Sequence, residues 1–135
     1  MGTAENKRLV GEWFERLGAG DPRLPELLAD DATWWVPPSS HLAGTHAGKP
    51  AVLALLRAGV DHYSPKHPMQ VEVERMIAEG DWVAVEFVLR AVTARGRDYA
   101  NHYHFAFRAR DGRIAEVREH LDTKAAHDAF QAPGS

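Results

Sequence analysis

Apolar residues near the start of the chain recur with the period of an α-helix. Leu9, Val10, Trp13, Phe14 and Leu17 fall on one helical face. This predicts an amphipathic helix over residues 4–18, with Thr3 as N-cap and Gly18-Ala19-Gly20 as its end. Asp21-Pro22 is a second start signal, a capping side chain followed by proline at the first helical position. A short helix burying Leu24, Leu27 and Leu28 should follow. Ala32–Val36 reads as a strand stopped by Pro37-Pro38. Residues 39–48 read as a loop carrying His41 and His46. A third helix over residues 49–62 places Val52, Leu53, Leu56 and Val60 on one face.

After Pro68 the period changes from 3.6 to 2. Residues 69–78 and 82–92 alternate as strands around a Gly80-Asp81 turn. Residues 99–123 form a long hairpin turning near Asp111-Gly112. One face of its first strand is Tyr99, Asn101, Tyr103, Phe105 and Phe107; the other holds His102, His104 and Arg108. On the second strand Ala115, Val117, Glu119 and Leu121 oppose Glu116, Arg118, His120 and Asp122. Pairing the apolar faces puts Glu119 on the core side, beside Tyr103 and Asn101. A lone carboxylate there is costly unless something satisfies or uses it. Residues 124–130 suggest a last helical turn, and 131–135 a disordered tail. The expected architecture is α+β: three N-terminal helices on one side of a curved antiparallel sheet, closing a cone-shaped pocket. Such a pocket suits small, mostly apolar ligands.

Composition narrows the function classes. The 135 residues fit a single domain, 1–135, with its core at about 4–130. A charge of −3 argues against a nucleic-acid partner. The lack of cysteine excludes disulfides and thiolate metal sites. No apolar run approaches the ~20 residues of a membrane span, and no secretion signal is evident. A soluble, cytoplasmic protein is expected.

The runs GAGDPRLPELLADDATWWVPP, LAGTHAGKPAV, AEGDWVAVEF and DYANHYHFAFRARDGRIAEVREHLDT together resemble the SnoaL-like branch of the nuclear-transport-factor-two-like superfamily. The resemblance spans residues 6–130. It implies the cystatin-like α+β barrel, a polyketide cyclase or ketosteroid isomerase type of pocket, and a homodimer through the outer sheet face. It implies chemistry without a cofactor. The superfamily holds many reactions, so the fold alone names none. Where ketosteroid isomerases carry a tyrosine, a base and a protonated aspartic acid, this chain has Trp13, Val36 and Tyr103. Of the Asp-Arg-Asp set of limonene epoxide hydrolases, two positions match Phe87 and Leu89, and the third matches Glu119. SnoaL-type cyclases place an acid on a late strand, and Glu119 is the equivalent.

Glu119 is therefore the candidate general acid or base, with Tyr103 and Asn101 as donors to a substrate oxygen. The alternative is a structural acid satisfied by those two residues. Trp13, Trp34, Val36, Phe87, Leu89 and Val117 are expected to line the substrate side, an aromatic wall suited to a planar apolar ligand. His41 and His46 are expected near the pocket mouth, where a histidine can shuttle protons. His62 and His67 are expected in solvent. His102, His104 and His120, with Asp122 nearby, offer an alternative metal-ligand set if His120 lies opposite His102. Cyclisation, isomerisation or dehydration of an aromatic or polyketide-like molecule is the functional expectation. A non-catalytic small-ligand-binding protein is the alternative.

Overall fold

The apolar stripe near the N-terminus becomes helix α1 (Thr3–Ala19) in the computed structural model, which describes residues 2–131. Val10, Trp13 and Phe14 are buried on its inner face. Gly2 rather than Thr3 is the N-cap, and no side chain caps the helix. Gly20 ends it at φ 63°, a conformation that favours glycine. Its N–H donates to the Leu17 carbonyl, and the Asp21 N–H donates to Arg16.

The second helix expected from Asp21-Pro22 is only a 3-10 turn over Leu24–Leu27. Leu28 and Ala29 are drawn into the sheet instead, both buried at the start of strand β1 (Leu28–Val36). A register shift between Leu28 and Thr33 leaves Asp30 and Asp31 both exposed. That irregularity hides the first half of the strand from a period-two reading. The expected loop over 39–48 also contains an edge strand, β2 (Gly44–Ala47), which sets His46 opposite Trp34. Helix α2 (Lys49–Val60) follows, burying Val52 and Leu55. Val60 is left exposed, contrary to the expected face.

Strands β3 (Gln70–Glu79), β4 (Trp82–Val92), β5 (Asp98–Arg110) and β6 (Arg113–Leu121) form the meander. The sheet has six strands in the order β2-β1-β6-β5-β4-β3. It is mixed: β1 runs parallel to β6, and every other pairing is antiparallel. Everything between β1 and β6 serves as the long crossover that a parallel pair requires.

The β5–β6 hairpin fixes the site. Asp111 and Gly112 both take positive φ, 51° and 75°, as a two-residue primed turn needs. Arg110 pairs with Arg113, and Ala109 with Ile114. Arg108 then pairs with Glu116, so Ala115 is an extra residue, a β-bulge. Beyond it Phe107 faces Val117, Phe105 faces Glu119 and Tyr103 faces Leu121. One residue of slip exchanges the two faces of a strand. The bulge therefore turns Glu119 inward and Arg118 outward. The expected register is corrected as well: His120 pairs with His104, not His102, one residue of the difference coming from the Arg110–Arg113 closure of the turn and one from the bulge.

After β6, Asp122 caps helix α3 (Thr123–Phe130), accepting from the N–H groups of Lys124 and Ala125 at 3.1 Å each. Two full turns replace the single turn expected. The three α-helices are thus two from the N-terminal half and one from the C-terminal end. Residues 132–135 of the expected tail lie outside the described residues. Among the described residues no helix is long and apolar enough to cross a membrane.

Candidate active site

Between the inner sheet face and the helices lies a cavity of about 150 Å³. Strand alternation supplies its floor: Phe87 and Leu89 from β4, Tyr103 and Phe105 from β5, Glu119 and Leu121 from β6. Trp34 and Val36 of β1 form one wall, and Trp13 of α1 the back. Rings meet edge-on around it. Trp34 and Phe105 centroids are 5.4 Å apart, Phe87 and Phe105 4.9 Å, while Phe87 stacks flat on Tyr103 at 5.1 Å. Their burial builds an apolar space with few polar atoms.

Glu119 is the one carboxylate among the described residues that line this space. Its side chain is half-buried. The indole Nε1–H of Trp34 donates to its Oε1 at 3.0 Å. Burial pushes its pKa up to about 7; the Trp34 hydrogen bond and the charge of His46 pull against that rise. A carboxyl poised there exchanges protons in both directions near neutrality.

Tyr103 meets Tyr99 hydroxyl to hydroxyl at 2.9 Å, and Asn101 Nδ2–H donates to the Tyr99 oxygen at 2.6 Å. The phenol of Tyr63, after α2, lies near that of Tyr103. Burial, reinforced by the neighbouring tyrosines, raises the Tyr103 phenol far above its ordinary value. It stays a neutral O–H, a hydrogen-bond donor and not a base. Asn101 sits differently from its expected role. It is 1% exposed, donates also to the Asp122 carbonyl at 3.0 Å, and accepts from the His102 N–H at 2.7 Å. It anchors the tyrosine network without lining the cavity.

Of the expected lining residues, Trp13, Trp34, Val36, His41, Phe87 and Leu89 are brought to the cavity. Val117 is fully buried in the core beneath it. His46 stands behind Trp34 on β2, with Nε2 at 2.9 Å from the Leu42 carbonyl. Residues not anticipated are His62, Tyr63 and Phe130, which close the mouth together with His41. Tyr99 carried a readable signal, since it shares the period-two face of Asn101 and Tyr103. Phe130 and His62 carried none, because only tertiary folding brings α3 over the end of α2.

The outer histidines do not assemble a metal site. His104 lies between Glu86 and His120, while His102 pairs with Val88. The His120 ring packs on Trp35 at 5.1 Å. Among the described residues no three His, Cys, Asp or Glu side chains gather with metal-holding geometry.

Comparison with known proteins agrees with this architecture. An NTF2-like protein of unknown function from Burkholderia pseudomallei K96243 is 25% identical, with a TM-score of 0.82 over 98% of this chain and 100% of its own. An NTF2-like protein from Burkholderia xenovorans LB400 is 28% identical, with a TM-score of 0.78 over 97% and 99%. TerC, co-crystallised with polyporic acid, shares the fold at 19% identity and a TM-score of 0.82, covering 95% of this chain and 99% of TerC. No curated protein sequence matches the chain. The model of the SnoaL-like domain matches residues 10–117, and the chain belongs to that family.

Proposed function

We propose that the cavity binds a small, largely apolar or aromatic molecule and that Glu119 moves a proton to or from one of its carbons. The reaction belongs to general acid–base chemistry: isomerisation, cyclisation or dehydration. One observation carries this reading. A single carboxyl, with Trp34 as its hydrogen-bonding neighbour, faces an apolar cavity with its pKa raised to about 7. Tyr103, held by Tyr99, donates to the substrate oxygen on which charge develops. The size sets a limit, because a dry cavity of ~150 Å³ accommodates benzene. The substrate is therefore of one-ring size, or extends through the mouth. The fold neighbour TerC was co-crystallised with polyporic acid, and a small organic molecule is the corresponding ligand class here.

The test uses 2-cyclohexen-1-one, a one-ring ketone with exchangeable hydrogens beside the carbonyl. In deuterated water the protein is expected to accelerate deuterium uptake at that carbon, and Glu119→Gln to slow it by about 10²-fold or more. Equal exchange with both proteins overturns the reading. A second reading, binding without turnover, is favoured by the lack of any second carboxylate in the cavity among the described residues. Equal affinity of the two proteins for the ketone, with no exchange in either, supports it.

A further inference from the structure

At the mouth of the cavity, His41 from the loop after β1 meets His62 from the end of α2. Their Nε2 atoms are 2.7 Å apart and their ring centroids 4.6 Å. Such a contact requires one Nε2 to carry hydrogen and the other to be bare. A second contact decides which is which. His62 Nδ1 lies 3.3 Å from the Gly59 carbonyl, which only accepts. His62 therefore carries its hydrogen on Nδ1 and presents a bare Nε2. His41 must donate from Nε2, and its Nδ1 lone pair meets no protein donor among the described residues. Phe130 covers the pair, 4.7 Å from His62 and 6.4 Å from His41, ring to ring.

We propose that His41, held in its Nε2–H form by His62, is a second acid–base group of the cavity and receives a substrate hydroxyl of enol or phenol type. The proton passes from the substrate oxygen to His41 Nδ1. The O–H bond breaks, an N–H bond forms, and the electron pair stays on oxygen. The resulting imidazolium keeps its Nε2–H on His62, now as a charge-assisted bond. For an enol, protonated Glu119 then delivers its proton to carbon, forming C–H and leaving a ketone. Solvent takes the proton from His41 and returns one to Glu119, so protons and charge balance. The ketone-to-enol direction is the same path reversed.

Burial, and the charge of His62 whenever both rings are protonated, hold His41 below its ordinary pKa. It is thus neutral where Glu119 still keeps much of its proton, an acid and a base matched across one cavity. The side chain facing the pair from α3 is Phe130, which is apolar. The other titratable groups lining the cavity are Tyr63, Tyr103 and Glu119.

The carbon step rests on the proposed role of Glu119; the tautomer and the hydroxyl site do not, and they are tested separately. Imidazole nitrogen NMR of the whole protein is expected to find His41 as the Nε2–H form and His62 as the Nδ1–H form. In His62→Phe the His41 ring is expected to lose that fixed tautomer, which marks His62 as a positioning residue. Binding of 4-nitrophenol is then compared with nitrobenzene. In His41→Phe the phenol should weaken by about tenfold, with nitrobenzene nearly unchanged. Finding His41 as the Nδ1–H form, or equal weakening of both probes, overturns the proposal.

Discussion

The two faces of the β5–β6 hairpin carry the same kinds of side chain under opposite conditions. On the inner face Asn101, Tyr103 and Glu119 have fixed partners, the first two buried and the third half-buried. On the outer face Arg108 and Arg118 reach Glu116 at 3.1 Å and 3.9 Å, with every one of these groups partly exposed. Glu119 and Arg118 are sequence neighbours. One has its pKa raised to about 7 by burial, and the other lies over the Trp35 ring at 4.3 Å, open to solvent. What separates a buried carboxyl from an ordinary surface charge here is the direction in which one strand residue points, and a single bulge sets that direction.

Shifting the register beyond the bulge is the most drastic way to break the contrast. Deleting Val117, two residues past the bulge, shortens β6 by one position there, which puts Arg118 opposite Phe107 and Glu119 opposite Ala106 on the outer face. An unpaired buried arginine costs several kcal/mol, a large share of a total stability of about 5–15 kcal/mol. The deletion is expected to abolish cooperative urea unfolding and the near-ultraviolet signal of the packed aromatics. Retention of both would show that β6 takes up the lost residue without carrying a charge into the core.

A gentler change keeps the faces in place and alters only the proton. The ordinary Glu119 value is 4.5 and the folded value about 7. Between them the native state holds a proton that the unfolded chain has released. Stability therefore falls as pH rises from about 4.5 to 7, and the penalty is fully present above that range. The difference corresponds to about 3 kcal/mol as an order of magnitude. Glu119→Gln should flatten this part of the stability–pH profile when denaturation midpoints are measured across it. An unchanged slope in the variant would place the titration elsewhere.

The inner face was legible because its signal is periodic. Tyr103, Phe105 and Phe107 alternate along β5, and the pairing of apolar faces alone put Glu119 inside. The resemblance supplied the layer order, and Trp13, Trp34, Phe87 and Leu89 reached the cavity as expected. What failed depended on irregular backbone or long-range closure. The bulge at Ala115 accounts for one of the two residues between the expected His120 partner, His102, and the observed one, His104; the turn closing at Arg110–Arg113 accounts for the other, and the shift near Asp30 concealed half of β1. Asn101 fell on the correct face, but its bonds to the Tyr99 hydroxyl and the Asp122 carbonyl hold it away from the cavity. His62 and Phe130 lie far apart in sequence and meet only when α3 folds back.

The smallest expected effect comes from the outer face and sharpens the comparison from the other side. Arg118 is 41% exposed at its side chain, its contact to Glu116 is 3.9 Å, and its guanidinium covers Trp35 at 4.3 Å. Water screens the ion pair, and the stacking contributes about 0.5–1 kcal/mol at an exposed site. Arg118→Ala is therefore expected to cost under about 1 kcal/mol in urea unfolding, well below the Glu119 effect. A cost of several kcal/mol would mean that Arg118 is far drier than its exposure indicates, and the contrast between the two faces would not hold.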